Sequence, residues 1–97
     1  MLNYQLEPIY ENVKSYYGKA RVQNFGELND GQHLAVDNKL RLFSYETLVC
    51  YIEDGEVHLL PAWNFSATTL RHVKEFLKQQ GFKADNKKQM IKDYCNY

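Results

Sequence analysis

The sequence holds no glycine-rich phosphate loop. Its five glycines, at positions 18, 26, 31, 55 and 81, are isolated, and a turn or a helix end accounts for each. Nucleotide binding of the phosphate-loop kind is therefore disfavoured. Cysteine is equally sparse: Cys50 and Cys95 form no CxxC pair and have no histidine at ligand spacing, so neither a disulfide framework nor a zinc site is indicated and no cofactor is expected. No apolar run approaches the length needed to span a bilayer, and no basic, apolar leader opens the chain. A cytoplasmic location without a membrane partner is expected. Net charge is absent too, since 12 Lys and Arg balance 12 Asp and Glu, which removes the usual charge argument for a nucleic-acid or membrane-surface protein.

What is present fits one domain. A chain of 97 residues, 44% apolar and 14% aromatic, can bury one modest core, and residues 1–97 are read as a single α+β unit. The zero net charge hides a gradient: residues 1–70 carry 5 basic and 9 acidic side chains, residues 71–97 carry 7 and 3. A basic C-terminal third is either an ordinary solvated face or a contact for phosphates or an acidic partner.

Leu6, Ile9, Tyr10, Val13, Tyr16 and Tyr17 recur at the spacing of an amphipathic helix, with Pro8 suited to its first turn and Gly18 to its end. A helix over 7–17 is expected. From Lys19 the period shortens, and segments near 19–25, 33–36, 39–44, 47–52 and 56–60 read as strands of an antiparallel meander of four or five strands. Asp37 and Asn38 mark one turn, Ser44 to Glu46 a weaker turn or bulge, and Asp54-Gly55 a two-residue hairpin. That hairpin pairs Ile52 with Val57, Cys50 with Leu59 and Tyr51 with His58, which makes one face continuously apolar and leaves Cys50 a small core residue.

The next helix is the best specified. Ser66 is placed to cap its start, Phe65 and Leu70 to staple it, and Gly81 with Phe82 to end it in a Schellman motif. Leu70, Val73, Phe76 and Leu77 form its buried stripe, while Arg71, Lys74, Glu75 and Lys78 form its wet one. A short third helix begins at Asp85 or Asn86 and runs through Tyr94. The two longer helices are expected on one face of the sheet, with the third at its edge.

Catalysis needs a nucleophile or an acid–base group with a tuning partner, and His33, His58 and His72 have no recognisable companion. His58 reads as a strand neighbour of Tyr51 and His33 as a solvated loop residue. No catalytic residue is assigned and a non-enzymatic protein is expected. Thr68, Thr69, Arg71 and His72 nevertheless crowd a helix N-terminus, where backbone donors and the macrodipole favour a phosphate or a partner carboxylate. Each has an ordinary reading as well, Arg71 as the i+4 partner of Glu75 and His72 as a residue bordering the core. Eight tyrosines exceed what so small a domain usually carries, and tyrosine favours interfaces. Tyr45, Tyr51 and Trp63 are the candidates for an exposed recognition surface adjoining Lys74 and Lys78.

Tyr17-Gly18-Lys19-Ala20, Ser44 through Val49 and Ser66 through Leu77 together resemble a family of small uncharacterised proteins of Gram-positive bacteria, their phages and mobile elements. The resemblance covers about residues 16–82 and implies a genomic setting without supplying catalytic residues. It implies a protein that binds a host or defence component, anti-CRISPR inhibitors being one such class. The expected function is thus binding of a protein partner. The alternative is nucleic-acid binding through Arg71, Lys74, Lys78, Lys87, Lys88 and Lys92, and the residues leave oligomeric state open.

Overall fold

Alternating apolar residues flanking short turns fold into a five-stranded antiparallel sheet in the computed structural model, which describes residues 3–27 and 34–95. The strands are β1 (Asn3–Gln5), β2 (Ala20–Glu27), β3 (Leu34–Ser44), β4 (Thr47–Glu53) and β5 (Glu56–Leu59), and their order in the sheet is their order in the chain. Two helices follow, α1 (Ala67–Gln79) and α2 (Lys87–Tyr94). Leu42, Val22, Cys50 and Leu59 on the inner face of the sheet meet Val73, Phe76 and Leu77 of α1 and Met90 of α2 in one core. The opposite face carries Arg21, Arg41, Phe43, Tyr51 and His58, all half-buried and none in that core.

The expected register of the last hairpin is observed, with Cys50 opposite Leu59, Tyr51 opposite His58 and Ile52 opposite Val57. Burial within the apolar core pushes the Cys50 thiol up. Between β3 and β4 the register slips after Leu42, so Val49 and Cys50 both turn inward and both are buried. The Asp37-Asn38 turn does not form, because β3 runs through both residues. Pairing with β2 slips instead: the step from Gln23 to Phe25 spans Arg41 to Val36 on β3, and the Asp-Asn pair lies within that bulge. His33 lies outside the described residues.

Local signals set the ends of α1. Ser66 accepts from the Thr69 N–H at 3.1 Å. At the other end Phe82 N–H reaches the Leu77 carbonyl at 2.9 Å and Gly81 N–H reaches Lys78 at 3.1 Å, the two bonds of a Schellman motif, with Gly81 at the positive φ of 88° it requires. The staple is a different matter, since Phe65 is 86% exposed and packs on nothing in the core. Asn86 caps α2 through the Gln89 N–H at 2.8 Å.

The expected helix over 7–17 is replaced by a loop. β1 pairs with β2, and the Leu6 N–H donates to the Ala20 carbonyl at 2.9 Å, so the chain must leave and return to the same point of the sheet. A closed excursion of this length forms an Ω-like strap more readily than a lone short helix, which is marginal without a buried face. Leu6 and Tyr16 at its two ends are buried, while Ile9, Tyr10, Val13 and Tyr17 are exposed.

Candidate functional site

The strap is held by a residue that the helical pattern assigns to water. Glu75, in the middle of α1, is 2% exposed, and its carboxylate accepts the N–H groups of Ile9 at 3.1 Å, Tyr10 at 3.0 Å and Glu11 at 3.1 Å. Gln79 adds a donor to the same carboxylate at 2.5 Å and also donates to the Glu7 carbonyl at 2.8 Å. Consecutive backbone donors converging on an anion form a nest of the kind that binds anions at helix starts. Here the anion is the protein's own side chain. Glu75 is therefore neither solvated nor the partner of Arg71.

Two tight turns bring tyrosines to the edge of this strap. Tyr17 and Gly18 have φ of 53° and 74°, and the Lys19 N–H closes their turn on the Tyr16 carbonyl at 2.9 Å. Tyr45 and Glu46 have φ of 51° and 67° between the paired residues Ser44 and Thr47. Consecutive positive φ values are the mark of type I′ turns, which Asp54-Gly55 also adopts with the sequence such turns favour. Glycine suits position 18 for a second reason, since a Cβ there would sit 3.3 Å from the Gln5 amide nitrogen. Tyr45-Glu46 departs from turn chemistry at both central positions. Left-handed conformations cost a bulky residue about 1–2 kcal/mol each, and departures of this kind concentrate where a side chain is being presented for a purpose. A hydrogen bond from the Tyr45 N–H to the Lys19 carbonyl, 2.9 Å, ties the two turns together.

Between them lies a cleft of about 500 Å³. Asn12 through Tyr17 and Lys19 form one wall; Tyr45, Thr68, Arg71 and His72 form the other. The cations Lys14, Lys19 and Arg71 line it, and among the described residues no carboxylate does. The Lys19 ammonium stands 5.4 Å from the centre of the Tyr45 ring, and the first turn of α1 carries no acidic residue to offset the positive end of the helix. Tyr17 is 78% exposed and Tyr45 49%. Tyr16 forms the floor, and its buried hydroxyl has no hydrogen-bond partner among the described residues. Burial, with Glu75 and Glu11 adding and Arg71 opposing, pushes that phenol upward, so it stays neutral and is a donor in want of an acceptor.

His72 supports the cleft from beneath. It is 1% exposed, its Nδ1 lies 2.8 Å from the Ser44 hydroxyl, and its ring meets Tyr16 edge-on at 4.5 Å and Tyr45 at 5.9 Å. Ser44 also meets Thr69 Oγ1 at 3.2 Å. The serine–histidine distance is one a nucleophile and its base would show, yet both are buried and the serine is shared with Thr69, so the trio satisfies buried polar atoms and fixes the ring against both tyrosines. Desolvation lowers the imidazole to about 4, which leaves it neutral.

Of the residues singled out from the sequence, Tyr45, Thr68, Arg71 and His72 come together here. The others do not. Trp63 is 4% exposed and belongs to the core, and Tyr51 lies on the outer sheet face, stacked on His58 at 4.6 Å with the Lys39 ammonium at 4.9 Å. Lys74 and Lys78 flank a shallow hollow beside Tyr10 and Glu11. Lys14, Tyr17 and Lys19 carry no site signal in the sequence, lying within or beside the segment whose spacing predicts a helix; the Tyr17-Gly18 pair, which fits a helix end, forms a tight turn.

Residues 4–93 match a family described as of unknown function, DUF8033. The chain belongs to that family. Every residue lining the cleft falls inside the matched DUF8033 span, as do Glu75 and both tyrosine turns. No curated protein and no solved structure matches the chain. Among the described residues, no helix is long and apolar enough to cross a membrane and no three His, Cys, Asp or Glu are grouped to hold a metal ion.

The turn at Tyr45 makes a prediction of its own. Replacing Tyr45-Glu46 by Asn-Gly relieves two left-handed residues and is expected to raise stability by about 1 kcal/mol, net of the lost Lys19 and His72 ring contacts, the lost surface ion pair of Glu46 with Arg21 at 3.0 Å and the added chain entropy of glycine. Urea denaturation checks it, and a net loss of stability would show that the turn is not strained.

Proposed function

We propose that this protein is a non-enzymatic binding module whose cleft receives an acidic segment of a partner protein. The observation that carries the reading is the cleft's composition: three cations, two exposed tyrosines and, among the described residues, no carboxylate, in a chain whose net charge is zero. Arginine and tyrosine dominate the energetics of protein interfaces, and exposed neighbouring rings give contact area at little entropy cost. The resemblance to phage and mobile-element proteins adds a setting in which that partner is a host or defence protein.

Nucleic acid is the competing occupant. Its basis is the basic C-terminal third, where Lys87, Lys88 and Lys92 are exposed along α2 and Lys74 and Lys78 flank a hollow apart from the cleft. An NMR titration of the amide-labelled chain with an acidic peptide, a single-stranded oligonucleotide and inorganic phosphate separates the readings. The acidic peptide is expected to shift Lys14, Tyr17, Lys19, Thr68 and Arg71, and to do so less as salt rises, since exposed charge pairs are screened. Shifts confined to the α2 lysines with the oligonucleotide would favour nucleic acid, and no cleft response to the peptide would refute the proposal.

A further inference from the structure

A second concavity, of about 450 Å³, adjoins the first; Tyr45, Val49, Ala62 and Phe65 give it a mainly apolar surface, and the hydroxyl-bearing Ser44, Thr47, Ser66 and Thr69 complete its wall. Tyr45 lines both clefts. Phe65, at its rim, is the most exposed large apolar side chain among the described residues at 86%, although it lies immediately before the cap of a helix where it could have packed inward. We infer that the acidic segment carries an apolar side chain that seats in this second cleft, so that recognition reads an apolar residue and neighbouring carboxylates across the Tyr45 ring. The inference rests on the acidic-segment reading of the first cleft and adds the second half of the ligand.

Three observations choose this occupant. The cationic and apolar clefts share a wall, so one segment can fill both. Extended chain advances about 3.3 Å per residue, so an apolar side chain within two or three positions of the carboxylates spans a single ring. Tyr45 is held at the shared wall by an unfavourable turn, by Lys19 and by the buried His72. A divider fixed from three sides keeps the two halves in register. Lone apolar molecules would use the second cleft without the cations, and nucleic acid would use the cations without the second cleft.

The test uses three peptides of equal length with a fluorescent label: acidic residues followed by Leu, the same with Ser for Leu, and the Leu peptide with Gln for every acid. Each is titrated against the wild-type chain and Phe65→Ala, whose side chain is exposed enough for the fold to survive, as circular dichroism checks. Leu is expected to tighten wild-type binding about tenfold over Ser, the effect of burying one aliphatic side chain. Phe65→Ala should remove most of that gain, and the Leu peptide alone should shift the amides of Thr47 and Ala62. Equal affinity for the Leu and Ser peptides, with acidic binding intact, would overturn the inference and leave the first cleft's role standing. A gain retained in full by Phe65→Ala without shifts at Thr47 and Ala62 would overturn it as well. Failure of both acidic peptides to bind would refute the underlying reading together with this one.

Discussion

Glu75→Ala is expected to lower the unfolding free energy by about 3–5 kcal/mol, a large share of the roughly 5–15 kcal/mol that holds a domain of this size. The carboxylate is the acceptor for three successive strap N–H groups and for Gln79, and alanine removes it without supplying another. Hydrogen bonds to a charged acceptor contribute more than neutral ones, and partial access of water to the exposed strap keeps the loss below the sum of four. Urea denaturation measures the effect. Hydrogen exchange locates it: the amides of Ile9, Tyr10 and Glu11 should lose protection, while those of β3 and β4 retain theirs relative to global unfolding. Glu75→Gln preserves shape and one acceptor oxygen and should lose roughly half as much. A loss below about 1 kcal/mol for Glu75→Ala would mean that the strap is anchored by Leu6 and Tyr16 alone.

Acidification from pH 7 to pH 5 is expected to cost about 2 kcal/mol of stability through His72. The sign follows from proton uptake. The folded imidazole, buried against Tyr16 and Ser44, binds its proton near 4, whereas the unfolded one binds it at the ordinary 6.5. Between those values the unfolded chain holds the extra proton, so stability is fully present above 6.5 and declines as pH falls toward 4. Denaturation at several pH values between 7 and 5 tests this, with His72→Asn as the control. The variant should be less stable at pH 7 but show a flatter profile. An unchanged slope in His72→Asn would assign the pH dependence to other groups.

The parts of the fold legible in the sequence are those fixed by neighbours. Ser66 caps α1 three residues ahead of its donor, Gly81 and Phe82 close it against the turn just before, and Asp54-Gly55 sets the register of the last hairpin through the two residues between the strands. The strap was illegible because its determinants are remote: β1 pairs across to β2, and the donors on residues 9–11 meet a carboxylate on residue 75. Nothing near Ile9 or Tyr10 announces either partner, whereas their spacing imitates a helix. Trp63 misled for the same kind of reason. A large aromatic in a polar loop reads as exposed until α1 and the sheet close over it.

The candidate site was half legible. The helix-start residues Thr68, Arg71 and His72 drew attention through local chemistry, and Tyr45 through its type. Lys14, Tyr17 and Lys19 supply the opposite wall, and only the strap's path brings them there. Tyr45-Glu46 is a weak turn signal. That weakness is itself informative, because the chain forms a tight turn with the wrong residues and keeps a tyrosine at the cleft.

We propose that this cleft binds an acidic segment. Its most direct test is the affinity of the labelled acidic peptide for the wild-type chain and for the triple variant Lys14→Glu, Lys19→Glu, Arg71→Glu, measured by fluorescence anisotropy at low and moderate salt. All three side chains line the cleft and none is in the core. Saturable wild-type binding that weakens with salt is expected, with an affinity lower by about a hundredfold in the variant from lost attraction and added repulsion. Equal affinity for the two proteins, or none for either, would contradict it.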